Sequence, residues 1–239
     1  MPLPYPVSEV QVPSFYQRVA TDDEEYAILE LPMNWDRPAH LLYQTVHRKP
    51  IIAGYVTRPN PLSLVERVPL LQQFRFLKPD IIAQDPREIA PEVFDYLNIK
   101  YVILHGYMLP PGKEREAVFG LVQEVFGDQS PFYEDERIAV YRVGDQEPRA
   151  PLLVLGSEWG ARREWEGDAA RELGSEATCA IIAPSAVEAR LTFTAFSEGG
   201  IRRLELRLNG EVVGSYEVDV QVGEFVTVPL SLQEGVNMP

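Results

Sequence analysis

The chain reads as a two-domain protein: an α/β or α+β domain over residues 1–145, then an all-β sandwich of jelly-roll or immunoglobulin-like type over 146–239. Three observations carry that reading. Its 239 residues exceed one ordinary core. Helix-like and strand-like segments alternate up to about residue 143. A polar, proline-bearing stretch, "GDQEPRAP", then gives way to short alternating runs separated by turn signals.

In the first part "YAILEL" (26–31) is a β-rich run ended by Pro32, and "PLSLVERVPLLQQFRFL" (61–77) carries apolar residues at helical spacing. "DPREIAPEVFDYLNI" offers Asp85 as N-cap and Pro86 at the first helical position, with Pro91 expected to delay the start. "KYVILH" (100–105) is a continuous apolar run of the kind covered on both faces. "KEREAVFGLVQEVFG" (113–127) is amphipathic, and "SPFYEDERIAVYRV" reads as two strands around an acidic turn. In the second part "WEGDAARELG" is the one strongly helical stretch. Around it "ARLTFTAF", "IRRLELRLNGEVVGSYEV" and "FVTVPLSL" alternate, with Asn209-Gly210 as a hairpin turn requiring positive φ at both positions. The ending, "SLQEGVNMP", reads as a strand pattern cut short, as in a piece of a longer protein.

Composition narrows the function. A net charge of −14, spread evenly over both parts, repels phosphate backbones, so no nucleic-acid partner is expected. Cys179, the single cysteine, rules out an intrachain disulfide and a thiolate-rich zinc site, and its apolar run "TCAIIA" suits a buried, inert thiol. No apolar run reaches membrane-spanning length, and "MPLPYPVSEVQVPSFY" lacks the plan of a signal peptide.

The motifs for known chemistry are sparse. The three histidines are His40, His47 and His105, without HExxH or HxH. Read as extended chain, the odd spacing of His40 and His47 puts them on opposite faces, so neither a metal nor a cofactor is expected. His105 ends a buried-type strand, a position where open α/β sheets place ligand-contacting groups, or where a histidine simply bonds nearby backbone. GxSxG, SxxK, phosphate-loop and dinucleotide patterns are missing, and no catalytic residue is assigned. The acidic runs 22–25 and 134–136 read as solvated turns. Trp159 and Trp165 flank "GARRE" and suit stacking on a sugar ring, or plugging a domain junction with the indole N–H bonded to backbone.

"YQTVHRKPIIAGYVTRP" (43–59) resembles a segment that recurs in large bacterial polytopic membrane proteins of the GT-C glycosyltransferase-like type. Gln44, Thr45, His47, Lys49, Pro50, Ile51, Gly54, Tyr55 and Arg58 match, while Ala53 and Thr57 replace a glycine and a serine. "ILELPM", "LNIKYVILH" and "DERIAVYRV" are similar to flanking parts, and the likeness covers roughly residues 10–145. It implies a domain pair on the extracytoplasmic side of a bacterial membrane, tethered by transmembrane helices outside this chain, its own transmembrane region being the first partner. The usual catalytic acid of such enzymes lies in that region. A non-catalytic role follows: positioning a glycan or polyprenyl-phosphate sugar, or docking partners. His47, Tyr55 and Arg58 then offer an imidazole, a phenol and a fixed cation, or tie an irregular loop to its own backbone. The rival readings are a free-standing carbohydrate or ester hydrolase using His105 with a nearby acid, and a purely structural module.

Overall fold

A computed structural model describes residues 11–33, 37–54, 63–144 and 150–238. The chain has mixed α and β structure, and its described residues fall into two compact units, each drawn from two stretches of sequence. One comes from Met1–Pro59 and Leu97–Gly144, the other from Asn60–Tyr96 and Asp145–Pro239. Among the described residues no helix is long and apolar enough to cross a membrane.

In chain order the first elements are α1 (Ser14–Ala20), β1 (Ala27–Leu31), α2 (Ala39–His47), α3 (Pro69–Phe76), α4 (Pro86–Tyr96), β2 (Ile99–His105), α5 (Lys113–Phe126), β3 (Tyr133–Glu134) and β4 (Ile138–Arg142). In the first unit the sheet order is β1-β2-β4-β3. β1 runs parallel to β2, and β4 is antiparallel to both β2 and β3. On its other side β1 bonds the segment after α2: Ile28 N–H donates to Pro50 O at 2.9 Å and Ile52 N–H to Ile28 O at 3.1 Å. With partners on both edges, every residue of β1 is buried.

The period-2 geometry of strands decides what one face presents. Ile28 and Glu30 of β1 share a face, as do Tyr101, Ile103 and His105 of β2; the register sets Ile28 beside Tyr101 and Glu30 beside Ile103. Phe15, Tyr16 and Val19 of α1 and Tyr43 of α2 pack with Ile28, Tyr101, Ile103, Ile138 and Val140 in one core cluster. At about 25 cal/mol per Å² of apolar surface removed from water, this aromatic cluster is the main favourable term holding α1 and α2 to the sheet.

α2 corrects the extended reading of residues 40–47. It is a helix closed by Arg48 in the left-handed region (φ 61), and residues seven apart on a helix share a face. α4 likewise begins at Pro86 without delay and carries Pro91 inside, while Asp85 accepts the Arg87 N–H through Oδ1 at 2.9 Å, the expected cap.

The second unit adds β5 (Leu152–Leu155), β6 (Arg163–Trp165), β7 (Asp168–Ala170), β8 (Cys179–Ala183), β9 (Val187–Ala189), β10 (Thr192–Ala195), β11 (Arg202–Leu208), β12 (Glu211–Val218), β13 (Gly223–Val226), β14 (Leu230–Leu232) and β15 (Gly235–Asn237). They pair as a β15-β8-β5 sheet and as separate two-stranded ladders, a strand-rich arrangement of several small sheets. The hairpin at Asn209-Gly210 forms with φ of 50 and 86, as its turn chemistry requires. "WEGDAARELG" is not a helix: β6 and β7 form a hairpin, and Glu166 (φ 52) and Gly167 (φ 99) make its turn. Two consecutive left-handed residues stop a helix outright.

A buried ion pair ties the connection between α3 and α4 to the segment after β7. Arg171 donates through Nε to Asp80 Oδ2 at 2.9 Å, through one terminal nitrogen to Gly160 O at 2.9 Å and through the other to Glu66 O at 3.0 Å. Asp80 uses its second oxygen to accept the Ile81 N–H at 2.7 Å. Gln84 spans a further gap, donating to Pro151 O at 2.7 Å and accepting from Leu153 N–H at 3.2 Å. Arg171→Met leaves the Asp80 carboxylate buried and unpaired, so urea denaturation followed by tryptophan fluorescence should show a loss of about 3–5 kcal/mol.

Candidate functional site

The chemistry-bearing groups of the first unit converge where α1 and α2 cover the sheet. Glu30 lies in an otherwise apolar strand at 1% exposure, and His105 ends the neighbouring strand at 0%. His105 Nε2 and Glu30 Oε2 are 2.6 Å apart, which places a proton between them. The Tyr16 hydroxyl donates to the same carboxylate, 3.0 Å from Oε1 and 2.9 Å from Oε2, and stands 3.1 Å from His105 Nε2. Carboxylate, imidazole and phenol thus form a closed triangle.

α2 supplies a stripe over this triangle. His40, Tyr43 and His47 follow i, i+3, i+7 and are its buried residues. Tyr43 stacks on Tyr16 (4.8 Å between centroids) and on His105 (5.5 Å, 5° between planes), and His47 stacks on Tyr16 at 5.3 Å. His40 lies against His105 at 4.9 Å. The Tyr43 and Tyr107 hydroxyls are 2.7 Å apart, and the Arg137 guanidinium sits 4.2 Å over the Tyr107 ring.

Electrostatics follow from burial. Burial by itself raises the Glu30 carboxyl, but the charge and hydrogen bond of His105, with His40 and the Tyr16 hydroxyl, outweigh it, and the net direction is down. Burial, then the Glu30 charge, pushes the Tyr16 phenol well above its usual range, so it stays a donor. Burial lowers His40 to about 4 against the opposing pull of Glu30, and lowers His47 as well. Three buried imidazole nitrogens have no hydrogen-bond partner: His40 Nε2, His47 Nε2 and His105 Nδ1.

The segment after α2 is fastened at both ends. Lys49 N–H donates to His47 Nδ1 at 3.0 Å, and Gln44 Nε2 donates to Lys49 O at 3.3 Å. The Lys49 ammonium donates to Glu24 O at 2.6 Å and to Asp22 O, and lies 4.8 Å over the Tyr26 ring. Lys100 closes the same loop from β2, bonding the Asp22 carboxylate at 2.9 Å and so helping hold it down at about 2.

No protein-family model, curated protein or solved structure matches this chain. Function therefore rests on the geometry.

His47 and His105 are brought to one cluster, both stacked on Tyr16. Tyr55 and Arg58 lie outside the described residues. Trp159 and Trp165 belong to the second unit. Trp159 Nε1 donates to Thr178 O at 2.7 Å, and Trp165, 44% exposed, stacks on Phe196 at 4.6 Å. Cys179 is half-buried on β8, and burial pushes its thiol up to about 11. Sequence reasoning missed Glu30, Tyr16, Tyr43 and His40. Two signals were there to find: an acid inside the apolar run "AILEL", and the helical spacing of His40, Tyr43 and His47.

A carboxylate beside an imidazole is what the hydrolase reading asks for, but this pair is sealed from solvent. A recess of about 260 Å³ in the first unit, lined among others by Phe15, Arg18, Tyr26, Tyr101 and Phe132, includes neither Glu30 nor His105.

Two expectations follow for stability. Tyr16→Phe removes a donor from a buried carboxylate and should cost about 1–3 kcal/mol, whereas His105→Ala leaves that carboxylate without its ion-pair partner and should cost about 3–5 kcal/mol; hydrogen exchange of β1 and β2 amides reads both. For pH, the unfolded chain takes up a proton at His40 below about 6.5 that the folded chain refuses until about 4, so stability falls as pH drops through that window. His40→Gln should remove about 3 kcal/mol of that acid loss in urea titrations run with a chelator, while the parts due to His47 and, lower down, to depressed carboxyls such as Glu30 and Asp22 should persist.

Proposed function

We propose that this chain is a non-catalytic, extracytoplasmic module of a bacterial membrane-embedded glycosyltransferase-like protein, which positions a glycan or lipid-linked sugar for chemistry carried out in the membrane-spanning part. The observation that carries the reading is how the motif residues are spent. Gln44, His47, Lys49 and Pro50, which bear the resemblance, all fix the crossing from α2 to the edge of β1 through the bonds described above. Gly54 continues it against α2, where a Cβ would come within 2.8 Å of Leu41 Cδ2. A signature used to anchor backbone fixes the crossing as far as Gly54, and preorganisation of that kind is what a binding segment needs.

Supporting it further, the three imidazoles and Glu30 are buried inside the core, which leaves the cation and phenol of the motif as its candidate recognising groups. Arg58 is the residue suited to bidentate bonds with a phosphate or a vicinal diol, and a local cation is needed on a chain of net charge −14. The strands of the second unit are read as the beginnings of a β-sandwich, with the exposed Trp165 as its sugar-stacking surface.

The test is titration of the chain with monosaccharides, oligosaccharides and short polyprenyl-phosphate sugars, followed by backbone NMR shifts and tryptophan fluorescence. Shifts at residues 44–58 and at Trp165 are expected, those at 44–58 abolished by Arg58→Ala at an unchanged melting temperature. Silence across the panel leaves a structural module. Turnover of chromogenic glycosides or esters that disappears in His105→Ala would replace the proposal with the hydrolase.

A further inference from the structure

The polar core of the first unit contains more donor capacity than its hydrogen bonds use. Among the described residues, Glu30, His40 and His105 are the group whose ligand atoms, one from each, all lie within 4.8 Å of one another. All three side chains are buried to at least 99%. His40 Nε2 and His105 Nδ1 have no partner, and an orphaned polar atom in a dry core is costly. A purely structural knot gains nothing from leaving the buried His40 nitrogen unused.

We propose that Glu30, His40 and His105 form a binding site for one divalent transition-metal ion, with zinc as the matching ion. Two imidazoles and one carboxylate are the donor set of three-ligand zinc sites and of the facial triads of other first-row metals. Donor atoms around a tetrahedral zinc, at bonds of about 2.0–2.2 Å, stand roughly 3.4 Å from each other, so the trio needs only small side-chain rotations to close. The imidazoles select against magnesium and calcium, which take oxygen donors.

The surroundings fit that role. Uptake replaces the proton held between His105 Nε2 and Glu30 Oε2, so metal enters as a proton leaves and binding weakens on acidification. The Tyr16 oxygen, 2.9 Å from Glu30 Oε2 and 3.1 Å from His105 Nε2, is placed as a fourth donor. Stacking of Tyr43 on both Tyr16 and His105 keeps those rings in place. His47 Nε2 is the remaining unpartnered nitrogen, held by its stack on Tyr16.

The experiment is equilibrium dialysis of the full 239-residue chain against zinc, with cobalt as a spectroscopic substitute. Wild type should take up one ion per chain, show visible cobalt bands, and gain resistance to urea with added zinc. His40→Gln deletes a ligand nitrogen that makes no hydrogen bond through Nε2. Since loss of a mere supporting partner already weakens metal sites about 10–100-fold, this variant should bind roughly 100-fold or more weakly and lose the cobalt bands. Should it fail to fold by far-UV circular dichroism, nitrogen-15 spectra of the wild-type histidines decide instead: zinc must move the His40 and His105 ring signals together. No uptake by wild type, equal uptake by His40→Gln, or zinc shifts that spare His40 and His105 would overturn the site.

Discussion

A carboxylate cannot be left alone in an aromatic core. The desolvation of one ion costs several kcal/mol even after relaxation, and Glu30 sits in the middle of a strand paired on both edges. Everything around it answers that cost. β2 brings His105 to the same face because both strands run parallel in a fixed register, and α1 brings the one phenol that reaches both carboxylate oxygens. Moving α1 by a fraction of a turn would withdraw Tyr16, so the charge specifies the helix position more sharply than apolar packing alone can.

The same constraint sets the path of the chain after β1. α2 must lay His40, Tyr43 and His47 on Tyr16 and His105, and it then has to turn back and add an edge to β1. Arg48 in the left-handed conformation makes that reversal, and the Lys49 ammonium, shared between backbone carbonyls and the Tyr26 face, holds it. Acid in the core, aromatic stripe and anchored crossing are thus one mechanical unit. A change at Glu30 will be felt at residue 50 through Ile28, which bonds the crossing on both sides.

How much of this the sequence revealed depends on whether polarity and burial agree. β1, β2, α5 and the Asn209-Gly210 hairpin were legible because their apolar residues face inward or their turn demands positive φ. α2 was not, because its pattern is inverted: His40, Tyr43 and His47 are buried while Leu41 and Leu42 are more than a third exposed. A helix that buries its polar aromatics looks, by hydrophobicity, like irregular chain. "WEGDAARELG" failed for the opposite reason: its Ala, Glu and Arg favour helix, but two left-handed residues at 166 and 167 fold it back as a hairpin. Long-range convergence lay beyond local pattern. Glu30 and His105 are 75 residues apart, and only their shared register joins them.

The two units offer a contrast in how buried charge is used. Arg171 and Asp80 are satisfied throughout: the guanidinium spends all three of its nitrogens on Asp80, Gly160 and Glu66, and both aspartate oxygens accept. That is a network built to be complete, and completeness is what stability asks of buried polar groups. The Glu30 cluster is equally buried yet leaves nitrogens of His40, His47 and His105 unpaired around a carboxylate. Selection for stability alone would favour filling the His40 position with an apolar side chain of similar size. Histidine at position 40 carries, in that setting, a desolvation cost and a depressed basicity that an apolar side chain would not. The property it keeps in exchange is an unpartnered imidazole nitrogen grouped with the Glu30 carboxylate, and the physical use of such a nitrogen is to accept a proton or a metal ion.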